Sequence, residues 1–175
     1  TGSAVALPYP NKPSVSGVAA IQSAVRNDIA YGADWIMVFN YNYSLEELKM
    51  FADEAHRQGN KIAIGAATDD QARRALAAGA DSIEYGFDLS PKTIRQIKSR
   101  CVYLVPTIGN LSIIRDSQAK TLRLSREKEV FTLSMIDQIL SPQLELSLKN
   151  AYKAGVRIAL GSGTMVVPHP LAERL

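Results

Sequence analysis

Few side chains in this sequence could do chemistry, and their scarcity shapes what it can be. The 175 residues hold two histidines, His56 and His169, and one cysteine, Cys101. A zinc site or an acid–base pair needs several such groups, or several carboxylates, brought to one place. Glu84 is the one carboxylate inside an apolar run, with Asp69 and Asp88 just beyond such runs. Ser162 and His169 would supply a nucleophile and a base, but neither a strained elbow nor an orienting acid accompanies them. Gly161-Ser162-Gly163-Thr164 is a glycine-rich turn whose backbone N–H groups could hold an anion, so phosphate binding stands as an alternative. His56 falls near a helix C-terminus, where a histidine interacts favourably with the dipole, and reads as structural. Cys101 reads as a small apolar residue buried at the start of a strand.

The elements that must position these groups repeat one unit: a polar cap, an amphipathic helix, a glycine stop, then a short apolar run. Five runs stand out, Trp35–Phe39, Lys61–Ala66, Ser82–Phe87, Val102–Thr107 and Arg157–Gly161. Short, nearly continuous and rich in Ile and Val, they read as strands buried on both faces. Ser44 with Glu47 makes a capping box that opens a helix to about Gln58, stopped at Gly59. Thr68 with Gln71 repeats the device before a helix ending at Gly79. Ser90-Pro91 and Ser141-Pro142 each set an N-cap before a proline at the first helical position. Strung strand–helix–strand units give parallel pairing with right-handed crossovers, in an open sheet or a barrel. No glycine-rich dinucleotide fingerprint follows any strand, which favours the barrel. The prediction is an α/β chain: a partial (β/α)8 TIM-type barrel with about five parallel strands and flanking helices. It forms a single, partial domain over residues 1–175, with an irregular segment at 1–16 and an extra helix within Asn110 to Gln138. Both ends read as cut, so a piece of something larger or a trimmed chain is expected.

Reactive groups of a β/α barrel stand at the C-terminal ends of its strands. Here those ends offer Met37, Phe39, Asn40 and Tyr41; Gly65 to Thr68; Glu84, Tyr85 and Gly86; Thr107 and Asn110; and Ser162, Gly163 and Thr164. None carries a histidine, a cysteine or a lysine. These segments resemble the imidazolonepropionase-like and Xaa-Pro dipeptidase-like branch of the amidohydrolase superfamily. ADWIMVF from Ala33 is similar to that family's fourth strand, and SLEELKMFADEAHRQGNK from Ser44 to the helix after it. ALAAGADSIEYG from Ala75 resembles the approach to strand six, where the family reads IEHG. VYLVPT from Val102 matches strand seven, and AGVRIALGSGTMVVPH from Ala154 resembles strand eight, where the family reads GTDAG. The resemblance spans strands four to eight, with Thr1-Gly2-Ser3 as the loop after strand three.

What the resemblance implies is a site for one or two divalent metals such as zinc. In the family they are held by a histidine pair on strand one, a lysine on strand four, histidines on strands five and six, and an aspartate on strand eight. At the last four places this chain has Met37, Gly65, Tyr85 and Gly163, and Ala67 stands where a further histidine often follows strand five. A thioether, a neutral phenol and two residues without side chains do not make a hard-cation site. No cofactor and no catalytic residue is therefore expected in this chain. The two glycines are expected to widen the barrel mouth, leaving a candidate pocket of Asn40, Tyr85, Thr107, Ser162 and His169. The functional expectation is a non-catalytic, metal-free barrel fragment, natural or engineered, that acts as a binding module or scaffold. The alternative is a metal-dependent amidohydrolase that cleaves C–N bonds with ligands supplied elsewhere.

Composition sets the remaining bounds. With 46% hydrophobic and 21% charged residues the chain has a globular profile, and a net charge of +3 singles out no partner. Arg115, Lys120, Arg123, Arg126 and Lys128 are interleaved with Asp116, Glu127 and Glu129, which reads as a solvated helix face rather than a nucleic-acid surface. No apolar run is long enough to span a bilayer, no signal peptide is visible, and one cysteine forms no disulfide within the chain. Expected partners are a small-molecule ligand, a second copy, or the missing barrel segment that carries strands one to three.

Overall fold

Capping chemistry decides where the helices start. In the computed structural model, which describes residues 15–40, 43–106, 141–161 and the backbone of 2–6, both capping boxes form in full. Ser44 accepts from the Glu47 amide and Glu47 answers to the Ser44 amide, opening α2 (Leu45–Arg57) after α1 (Val18–Ala30). Thr68 and Gln71 do the same for α3 (Asp69–Ala78), and Ser90 with Pro91 opens α4 (Pro91–Ser99). The helix expected after Ser141 is α5 (Ser141–Ala154). Gly79 closes α3 at φ 97°, a left-handed angle that a residue with a Cβ adopts only at a cost.

Between the helices run β1 (Gly2–Ala6), β2 (Ala33–Phe39), β3 (Lys61–Thr68), β4 (Ser82–Asp88), β5 (Tyr103–Val105) and β6 (Arg157–Ile158). All neighbouring pairs are parallel, and the strands lie in sequence order from β1 to β6. That is the order of consecutive βα units in a barrel wall. The five expected strands are all present, the last two shorter than their apolar runs.

Gly2–Ala6 corrects the expectation of an irregular 1–16 segment and of a loop at Thr1-Gly2-Ser3. Its small residues carry almost no β signal of their own, and pairing along β2 is what extends them. Tyr41, Thr107, Asn110, Ser162, Gly163, Thr164, His169 and the stretch from Asn110 to Gln138 lie outside the described residues.

The core occupies the helix-facing side of the sheet. Ile36, Val38, Ile62, Ile64, Ile83 and Leu104 are at most 1% exposed and pack in one cluster with Leu48, Phe51 and Ile97. Each such side chain contributes about 1.5–3 kcal/mol by leaving water. The other side is different. Trp35, Met37, Phe39, Tyr103 and Val105 are half-buried, and Lys61 and Arg157 are exposed. Strands buried on both faces were expected; on the inner face Ala63, Gly65 and Ser82 are buried, while the larger side chains are only half-buried. A β/α barrel covers its inner face with strands from the opposite wall, and the described strands form only part of the ring.

One charge is buried on the helical side. The Glu54 carboxylate accepts from Arg26 at 2.6 Å, from Gln58 at 3.0 Å and from Arg57, a set of bonds that ties α1 to α2. Those donors, Arg26 foremost, hold it below the usual carboxylate range.

Cys101 also corrects its expectation, since it is exposed, with φ 56°. The amide of Cys101 donates to Lys98 and that of Val102 to Ile97. It therefore stands where the helix stop needs a left-handed residue, a place glycine takes after α2, α3 and α5.

Candidate functional site

Alternation along the strands divides their residues between the helices and the inner face. Ile83 points into the helical core, so Ser82 and Glu84 face inward, as do Trp35 and Met37 on either side of Ile36. Register aligns Met37, Ala63, Ser82 and Tyr103 in one row, and Gly65, Glu84 and Val105 in the next. Large residues flank small ones, which leaves a trough. Its cavity of about 330 Å³ is lined by Trp35, Met37, Ala63, Ser82, Glu84, Tyr103, Val105 and Ala159.

Glu84 is the one charged group on that lining. The Ser82 hydroxyl donates to its Oε1 at 2.8 Å, and no Lys or Arg among the described residues pairs with it. Burial pushes the carboxyl up to about 7, against the opposing pull of the Ser82 hydrogen bond. The inner-face cations are engaged elsewhere. Lys61 Nζ lies 5.5 Å from the Trp35 ring centre, and the Arg157 guanidinium 5.8 Å from that of Tyr103.

Toward the strand ends the wall becomes aromatic. Tyr85 stacks on Phe39 at 6.2 Å between centroids and tilts against Phe87 at 5.7 Å. The Tyr85 backbone has φ 79° and Gly86 φ 62°, beside a register shift in the β3–β4 ladder. For tyrosine that region costs about 1–3 kcal/mol, and it re-aims the ring at the strand end. Gly65 lacks the Cβ that would meet Phe39 Cδ1 at 2.8 Å, with the Tyr85 ring 3.5 Å away. The mouth is thus not widened at Gly65, as the sequence had suggested. Phe39 fills the space.

Asn40 is fully buried and does not line the cavity: its Nδ2 donates to the Gln71 carbonyl at 2.6 Å, and its Oδ1 has no partner. Met37 lines the trough, and Tyr85 sits in the aromatic wall above it. Neither Asn40 nor Tyr85 is on the lining of this trough. Thr107, Ser162 and His169, the rest of that candidate pocket, lie outside the described residues, as does Gly163.

Asp69 and Asp81 are used structurally. Asp69 accepts from the Ser90 amide at 2.8 Å and from Arg73 at 2.6 Å. Burial acts to raise it, but hydrogen bonds from Thr93 and Ser90, with Arg73 nearby, outweigh that and leave it below its ordinary value. Asp81 accepts from the Ile62 amide at 2.9 Å and lies 2.8 Å from His56 Nε2, tying the end of α2 to the entrance of β4. Among the described residues no three His, Cys, Asp or Glu side chains are grouped to hold a metal ion.

Trp35, Ser82 and Tyr103 stand away from the C-terminal strand ends, so the rule that places barrel chemistry at those ends does not reach them. Their signal was the period of two: Trp35-Met37-Phe39, Ser82-Glu84 and Tyr103-Val105 each mark one face.

Comparison with known proteins agrees with the fold. The amidohydrolase family profile matches residues 13–169. A crystal structure of a Xaa-Pro dipeptidase with bound methionine is 24% identical, at TM-score 0.73, over 91% of this chain and 41% of its own. A. niger ochratoxinase is 27% identical, at TM-score 0.71, over 84% of this chain and 35% of its own. A putative prolidase from Bifidobacterium longum is 20% identical, at TM-score 0.74, over 97% of this chain and 45% of its own. The chain thus spans less than half the length of these solved structures. No curated protein sequence matches it.

Proposed function

We propose, since the chain belongs to the amidohydrolase family, that this part of the barrel binds a ligand and does not hydrolyse one. Catalysis of C–N cleavage in a metal-dependent barrel rests on an ion that activates water, and such an ion needs about four donor groups. The observation that carries the reading is the packing at Gly65. The place that the family resemblance assigns to a histidine has no side chain, and Phe39 occupies the space with Tyr85 stacked on it. Met37, at the family's lysine position, presents a thioether to the trough. These residues do not fit a hard divalent cation, and no catalytic step is derived through one.

Family membership itself supports a second reading, hydrolysis of an amide or peptide bond with ion ligands from outside the described residues. One preparation separates the two. The protein is purified with zinc and manganese supplied, its metal content is measured by plasma mass spectrometry, and Xaa-Pro dipeptide hydrolysis is followed before and after chelation. The expected result is metal well below one ion per chain and no hydrolysis. A stoichiometric ion that is lost together with activity on chelation contradicts the binding reading.

A further inference from the structure

We infer that the trough beside Glu84 is a binding site for a monovalent organic cation with a small apolar body, such as an alkyl- or benzylammonium ion. The inference deepens the binding reading given above and rests on it, naming the class of ligand.

Charge is the first argument. A carboxylate withdrawn from water loses solvation that only a cation or several donors can replace. Among the described residues Glu84 has one donor, Ser82 on Oε1, and no second hydrogen-bond partner. The two cations on the same face do not relieve it: Lys61 lies over Trp35, Arg157 lies over Tyr103, and neither pairs with Glu84. The second oxygen is left for whatever enters the cavity.

Shape is the second. The cavity of about 330 Å³ is at the small end of ligand pockets, which suits a ligand of one ring or a short alkyl chain. Trp35, Met37, Tyr103 and Val105 give it apolar walls, and Ala63 leaves the floor low. An anion meets the wrong charge here, and a neutral ligand leaves Glu84 unmatched. An ammonium group on an apolar body satisfies both the carboxylate and the walls.

Trp35 lines the cavity and is the only tryptophan in the chain, so its emission reports occupancy directly. The full chain is titrated with benzylammonium and with the neutral isostere benzyl alcohol above pH 8, following Trp35 fluorescence. Benzylammonium is expected to give a saturable change, with benzyl alcohol weaker by about tenfold or more, the factor a charge-assisted hydrogen bond supplies. The preference is expected to shrink as pH falls through about 7, where Glu84 takes up a proton while the amine stays charged. Glu84→Gln, checked for folding by circular dichroism, should abolish the preference. Ala63→Leu, which raises the floor, should remove the response to both compounds. Equal binding of amine and alcohol, a preference that survives Glu84→Gln, or a Trp35 signal unmoved by either compound overturns the proposal. A chain that binds zinc stoichiometrically overturns the metal-free reading instead, and metal content separates the two failures.

Discussion

Glu84 links the chemistry of the trough to the stability of the fold. Its carboxyl is raised by burial from an ordinary 4.5 to about 7, so the folded state holds a proton that the unfolded chain has already lost. The resulting cost is absent below pH 4.5, grows as pH rises, and is complete above about 7. Glu84→Gln should therefore stabilise the protein above pH 8 by up to about 3 kcal/mol and confer no such gain near pH 4, as read from urea unfolding at the two pH values. Cys101 offers an independent check. Its φ of 56° is a glycine angle, so Cys101→Gly should raise stability by about 1 kcal/mol, measured as a shift in the urea midpoint at constant slope. In the sequence, Glu84 was visible as the lone acid of an apolar run, but its unpaired state was not, because that depends on where Lys61 and Arg157 turn. The position of Cys101 is hidden for a related reason: its apolar neighbour Val102 suggests a strand start, whereas the hydrogen bonds that end α4 require a left-handed turn there.

The elements show which signals carry across scales. Ser44-Glu47 and Thr68-Gln71 placed two helix starts to the residue, because a capping box is satisfied within four consecutive positions. The strands of β2, β3 and β4 were legible from their Ile and Val content, since burial against helices is a local demand on residue type. What could not be read was packing between strands, and the Gly65–Phe39 contact is the clearest case. Sequence alone made Gly65 an opening, while register brings Phe39 beside it and the ring closes the gap. Gly65→Ala should destabilise by about 1–3 kcal/mol through overpacking, and pairing it with Phe39→Leu should recover much of that loss. A double-mutant cycle by thermal or urea unfolding tests this, and simple additivity of the two changes contradicts the contact.

At the scale of the whole molecule, the six described strands run parallel in sequence order and make a partial barrel wall, with its core on the helical side and partly open on the other. The family and the partial barrel were legible because segments from Ala33 to His169 match one superfamily in order. The trough was not, because it exists only where four strands, β2 to β5, align with the residue that follows β6. Its lining is apolar with one acid, whereas the metal chemistry of the family asks for converging donors. The most direct measurement is a crystal grown with zinc in excess, with diffraction recorded just above the zinc absorption edge. The expected map has no anomalous peak beside Met37, Gly65 and Tyr85. A strong peak there, at coordination distance from protein atoms, contradicts the metal-free reading.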